Sequence, residues 1–309
     1  MLRFVVRRLA AAVVTVWLAT ILVFFLLTLV PGDPVGAMLM EVGGAPPTQA
    51  EVDAPRSRWG FDRPAAARYL IWLSGVLRGD LGESLMTGLP ALQMVVNALP
   101  ATMELAFSAM FIATIIAFPL GILSSTRRNT AVDFASRIAS LIGVCMPGFW
   151  LALLLMLVFA VDLRWLPVFG RGELRHLILP AITLGAGMAA LSARLIRSSM
   201  LEVLQEDFIR TARAKGLSER VVIWTHALKS AMVPVITILG LQLGVVLGGS
   251  AIVEKVFAWP GIGLLMVNAI FARDFIVVQA VTLVFAAIMT TVNMLVDICY
   301  TYLDPRIRC

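Results

Sequence analysis

His176 and His226 are the two histidines of this sequence. Each would need a second ligand, a nucleophile or a carboxylate at hydrogen-bond distance to hold a metal or act as a base. The topology read below puts them on opposite sides of a membrane, so neither a shared metal site nor a catalytic pair is expected. Lys215, Lys229 and Lys255 are the three lysines, and none follows a glycine in a GxxxxGK[ST] loop, so the chain has no phosphate cradle of that kind. Ser250 in "LGGSAIV" has no histidine in any apolar run to serve as its base. Cys145, Cys299 and Cys309 show no CxxC spacing and read as small apolar fillers. The chain is expected not to be an enzyme and to carry no metal or cofactor of its own.

The stretch "EDFIRTARAKGLSERVVIWTHALKSAMVP", Glu206 to Pro234, is of another kind: it holds five of the 25 lysines and arginines of a chain that is 60% hydrophobic. Glu206 and Asp207 stand at the start of a helix-like segment and Arg210, Arg213 and Lys215 toward its end, the order that a helix dipole favours. Ala212 and Ala214 add little bulk, and Gly216 supplies a stop and turn. Charge pattern alone fits a solvated connector as well as a docking element. Farther on, Gln279, Thr282, Ala286, Thr290, Asn293 and Asp297 recur at steps of three or four and share one helical face. Such a face either lines a hydrated path or holds helices together by hydrogen bonds, with Asp297 near enough to the helix end to be solvated. Gly240, Gly244 and Gly248 repeat at every fourth position, a small-residue face that lets another helix approach closely.

The elements that place these residues are membrane spans. A chain that is 60% hydrophobic and 14% charged departs from the soluble balance of about half apolar and about a quarter charged. The sequence pI is about 9.8, but the basic residues flank apolar runs instead of forming one polar face. They therefore orient the chain in a lipid bilayer, and no nucleic-acid partner is expected. Residues 9–32 carry no charge behind Arg3, Arg7 and Arg8, which predicts an uncleaved first span. Further apolar runs near 99–123, 138–161, 177–197, 234–253 and 275–300 bring the expected count to six. With both termini in the cytoplasm, Arg127, Arg128, Arg137, the basic stretch above, Arg306 and Arg308 all fall inside, as the positive-inside rule asks. The segment from Pro31 to Ala98 falls outside. Glu104 and Arg194 are expected to reach span ends by snorkelling.

Nine short motifs occur in order along nearly the whole chain: "RRL", "VPGDP", "GDLGESL", "PGFWLALLLM", "WLPVFG", "HLILPAITLG", "RTARAKG", "EKVFAWPGIG" and "YLDPRIR". Together they resemble permease subunits of binding-protein-dependent ABC importers, in the dipeptide and oligopeptide permease variant. "FIRTARAKGLSE" is similar to that family's cytoplasmic EAA loop. The general loop has glutamate where Arg210 stands and proline where Lys229 stands, and the peptide-type permeases share both changes. Ile276 stands where the family often has proline, which touches the start of the last span.

The resemblance implies an all-helical membrane protein with six transmembrane helices and the type I importer permease fold. Residues 1–98 would form the first helix and an external segment, 99–300 the transmembrane core with a coupling loop at about 198–233, and 301–309 a cytoplasmic tail. It implies that Glu206, Asp207, Arg210, Thr211, Ala212, Arg213, Ala214, Lys215, Gly216 and Leu217 form a coupling helix that docks on a separate ATPase. The expected partners are a second homologous permease subunit, two ABC ATPase subunits or domains that bind ATP and magnesium, and an external substrate-binding protein, all at the inner membrane of a prokaryote. Gln279, Thr282, Thr290 and Asn293 are the candidates for the translocation path. Small peptides are the implied cargo, and importers of nickel, glutathione, haem or sugar acids share these signatures. A secondary transporter driven by an ion gradient would instead show inverted repeats and paired ionisable groups at the midplane, and the central parts of these spans show neither.

Overall fold

The computed structural model describes residues 2–29, 35–36, 39–40, 47–58, 60, 62–248 and 250–303. "VPGDP", Gly249, Arg306, Arg308, Cys309 and the end of "YLDPRIR" lie outside the described residues. The uncharged N-terminal run forms α1 (Leu2–Leu29), and α2 (Gln49–Arg58) and α3 (Ala65–Val76) follow it. Helix α4 (Ala91–Thr126) is 36 residues long, well beyond the apolar run 99–123, because a helix continues past the hydrocarbon wherever its own backbone bonds suffice. Then come α5 (Ala131–Cys145) and α6 (Gly148–Asp162), whose last turns are π-helical, followed by α7 (Leu174–Val203) and α8 (Asp207–Ala214). Helix α9 (Glu219–Leu247) has a π-helical stretch at Val222–Ala227; α10 (Ala251–Val256), α11 (Ile262–Phe271) and α12 (Phe275–Leu303) complete the chain.

Five of these helices, α1, α4, α7, α9 and α12, are long and apolar enough to cross a membrane among the described residues. The run 138–161 does not form the single straight span expected of it. It divides into α5 and α6, bent by 101° at Met146 and Pro147, and gives a sixth span only if the bent pair counts as one. Proline at 147 disfavours helical backbone at the residue before it, and Met146 is extended at ψ 120. The fifth span also differs: α9 begins at Glu219 and stops at Leu247, where Gly248 closes the helix by donating its N–H to the Gly244 carbonyl at 2.9 Å. Gly248 is therefore the C-cap of α9.

Two compact units divide the chain. In the unit of residues 1–102 and 260–291, Thr20 and Tyr69 hydrogen-bond at 3.0 Å, and the rings of Phe24, Tyr69 and Trp72 cluster beside them. The "GDLGESL" loop folds on itself: the Ala91 N–H donates to the Gly82 carbonyl at 2.8 Å, and Gly82 takes φ +89, a conformation that glycine allows. Ser84 donates its hydroxyl to buried Asp274, and the other oxygen of Asp274 accepts the Val277 N–H at 3.3 Å, capping the first turn of α12. The proline position taken by Ile276 thus falls in a well-capped first turn. Thr102 caps α11 in the same way, accepting the Ile262 N–H at 2.8 Å.

In the unit of residues 103–259 and 292–309, α7 is the central element, with Ile196 and Met200 fully buried. Two glycines bring α4 against it: a β-carbon at Gly121 would lie 2.7 Å from Ile196, and one at Gly185 would lie 2.8 Å from the Ala109 carbonyl oxygen. Gly143 of α5 meets Ala190 of α7 in the same manner. Ser192 of α7 donates to the Gln242 side-chain oxygen of α9 at 3.1 Å. At Gly240 a β-carbon would run into Val296 of α12. Gly240→Leu should accordingly cost about 1–3 kcal/mol by overpacking and lower the melting temperature of the purified protein. Gly187→Ala, where nothing lies within 4 Å, should leave the melting temperature unchanged or raise it.

Candidate coupling segment

The C-terminal end of α7 is fixed by a buried ion pair. Asp133 of α5 is 1% exposed and accepts two bonds from the Arg197 guanidinium, at 2.7 and 3.0 Å. Ser124 donates to the same carboxylate at 2.6 Å and the Asn129 N–H at 3.0 Å, so α4, the turn after it, α5 and α7 converge on one side chain. From this anchored end the chain turns through Leu204 to Glu206 into α8.

Helix α8 is eight residues long, too short to be stable alone. Its support comes from packing on the π-helical stretch of α9, with Ile209 fully buried and Ala212 nearly so. Asp207 lies in the first turn and Arg213 in the last, matching the dipole. The C-terminus closes by two backbone bonds, Gly216 N–H to the Arg213 carbonyl at 2.9 Å and Leu217 N–H to the Ala212 carbonyl at 3.4 Å, a Schellman cap around a glycine at φ +77. Arg213 also pairs with Glu219 at 2.7 Å, tying the end of α8 to the start of α9.

The remaining side chains face outward. Glu206, Asp207, Arg210, Thr211, Ala214, Lys215 and Leu217 are exposed, and a β-carbon at Gly216 would meet nothing within 4 Å. Arg210 reaches Asp207 at 3.2 Å, an exposed pair worth little in water. Ala212 is turned inward, so its small size serves packing on α9 and not an outward surface. Phe208, beside the buried Ile209, is 45% exposed. The sequence reading passed over it; its signal was an apolar ring among charges with an apolar neighbour already available for burial. The outward face of the segment presents Glu206, Asp207, Arg210, Lys215 and the ring of Phe208 around the fixed turn at Gly216.

The polar stripe of α12 is partly self-satisfied. Gln279 is buried, and the Thr282 and Thr290 hydroxyls donate to the Val278 and Ala286 carbonyls at 2.7 Å, while Asn293 is exposed. Glu104, expected to snorkel, is partly exposed and pairs with Arg171 at 2.8 Å, and the Arg171 guanidinium lies 5.9 Å from the ring centre of buried Trp259.

Residues 117–308 match the binding-protein-dependent transport system inner membrane component, and residues 1–106 match the N-terminal part of the membrane components of the same systems. The chain belongs to this family. A putative peptide permease protein of Brucella suis is 41% identical to this permease, with 100% of this chain and 99% of that protein covered. The di/tripeptide transport system permease protein DppB of Pseudomonas aeruginosa is 40% identical over the same shares. The glutathione transport system permease protein GsiC of Salmonella typhi is also 40% identical, covering 100% and 99%. A chain of the inward-facing MetNI methionine ABC transporter superposes with a TM-score of 0.55 at 19% identity, over 69% of this chain and 97% of that one, a likeness of fold. The permease is thus an all-helical, multi-pass inner-membrane component of an ABC importer, a transport subunit and not an enzyme.

Proposed function

We propose that this permease conducts small peptides, delivered by an external binding protein, through a path shared with a second homologous permease, and that Glu206 to Leu217 couples that path to two ATPase subunits or domains holding ATP and magnesium. Both termini and α8 then lie in the cytoplasm, in keeping with the arginines at 7, 8, 127 and 128. The peptide cargo rests on full-length relatives named for peptide and di/tripeptide transport. A second reading, glutathione, is favoured by the 40% identity to GsiC. Uptake assays with a labelled dipeptide and labelled glutathione separate the two.

The observation that carries the coupling role is the half-packed state of α8. Two side chains, at 209 and 212, are buried against the chain itself, while the charged residues, Phe208 and the Gly216 turn are left outward. A solvated connector has no need of a rigid Schellman turn with open space in front of its glycine. Gly216→Val places a β-branched side chain at positive φ, at a cost of roughly 1 kcal/mol or more, and projects it into that space. The variant should stay in the membrane yet lose ATPase attachment and substrate-stimulated ATP turnover. Gly121→Val, wedged against Ile196, should harm folding without uncoupling whatever complex assembles. Normal transport by complexes carrying Gly216→Val would refute the assignment.

Gln279, Thr282, Thr290 and Asn293 are assigned to the wall of the translocation path, with the exposure of Asn293 in support. Cysteines at Thr290 and Asn293, introduced after replacement of Cys145, Cys299 and Cys309, should react with a small water-soluble thiol reagent in at least one state of the transport cycle. Inertness in both nucleotide-free and ATP-trapped complexes would assign the stripe to helix packing.

A further inference from the structure

At the same end of the second unit the tips of α4, α5 and α7 leave a cavity of about 640 Å³ that the coupling role does not use. Arg128, Arg137, Arg194 and Arg197 line it, together with Phe134, Ile138 and Leu141, and no carboxylate is among its lining residues. Arg197 is committed to Asp133. Arg128, Arg137 and Arg194 are exposed and have no acidic partner among the described residues. Three unpaired guanidinium groups around one hollow repel each other, and an anion among them removes that cost.

The rim of the hollow is apolar. Phe134, Ile138 and Leu141 follow one another at steps of four and three along α5 and are 63%, 42% and 59% exposed. Buried Ser136 and Ser140 of α5 also line the hollow, beside the Asp133–Arg197 pair, and Gly143 closes on Ala190 of α7. The hollow therefore sets exposed guanidinium groups beside an oily face at the end of a membrane helix, where lipid headgroups lie.

We propose that this groove binds an anionic phospholipid, its phosphate held by Arg128, Arg137 and Arg194 and its acyl chains laid along Phe134, Ile138 and Leu141. Guanidinium groups present planar pairs of N–H donors that match phosphate oxygens. The volume falls within the roughly 300–1,000 Å³ of small-ligand sites. A free phosphate would leave the apolar rim uncovered, and a protein occupant would have to bring carboxylates into the hollow. The inference is independent of the cargo and of the coupling role.

The test uses the full chain in nanodiscs of phosphatidylcholine doped with phosphatidylglycerol, with retained lipid counted by native mass spectrometry. The wild-type chain should retain phosphatidylglycerol in preference to phosphatidylcholine, and each arginine removed should weaken that preference about fivefold. The double variant R137Q/R194Q should then lose it, and Arg128→Gln, on the exposed turn, gives the single-charge effect should the double variant not fold. Arg127→Gln removes the same charge outside the groove and should leave the preference intact. An unchanged preference in R137Q/R194Q or Arg128→Gln, or an equal loss in Arg127→Gln, would overturn the proposal. So would displacement of the lipid by inorganic phosphate, which would make the groove a free-anion site. Absence of phosphatidylglycerol from the assembled transporter, when the isolated chain retains it, would assign the groove to a protein interface and overturn it equally.

Discussion

Hydrocarbon supplies no hydrogen-bond partner, and the arrangement of this chain follows from that deficit. Backbone groups are satisfied within helices, and several of the polar side chains that enter the bundle are matched one to another. Asp133 takes Arg197, Ser124 and the Asn129 N–H; Ser84 and Asp274 join a loop to a helix start; Ser192 takes Gln242. A buried pair of this kind adds little net stability, but stripping one partner from it costs roughly 3–5 kcal/mol. Such pairs therefore fix which helix ends meet. The convergence of three helices on Asp133 makes the last turns of α7 a firm base.

Firmness at that base matters because α8 has little of its own. Eight residues cannot hold a helix in water, so α8 keeps its shape through Ile209 and Ala212 on α9, the Arg213–Glu219 pair and the Gly216 turn. Its attachments are the short link at Leu204 to Glu206, which leads to α7, and the packed stretch at Val222 to Ala227 of α9. In the proposed role, this double attachment lets a partner's motion reach two spanning helices at once.

Much of this was readable in the sequence where local chemistry decides. Apolar runs gave α1, α4, α7 and α12, and acidic residues before basic ones, closed by a glycine, gave α8 and its stop. The bend at Met146 and Pro147 was hidden because every residue around it is apolar; the proline was its only mark, and proline inside α7 at Pro180 makes no such break. The early start of α9 was hidden for the opposite reason, since Glu219 to Lys229 is too polar to register as a span although its backbone is helical. Ile209 turned inward and Phe208 outward because α9 packs on one side of α8, a fact of tertiary contact with no local trace. The Glu104–Arg171 pair and the Ser84–Asp274 bond join residues 67 and 190 positions apart, beyond the reach of spacing arguments.

The central claim is that the outward face of α8 touches the ATPase. A photo-activatable residue at Phe208, in the transporter assembled with its partners, reads that contact without altering the Gly216 turn. The account predicts a cross-link from position 208 to the ATPase subunit, and none from Leu89, an exposed loop residue assigned to the external side. No adduct at position 208, or adducts of equal yield from both positions, would contradict it.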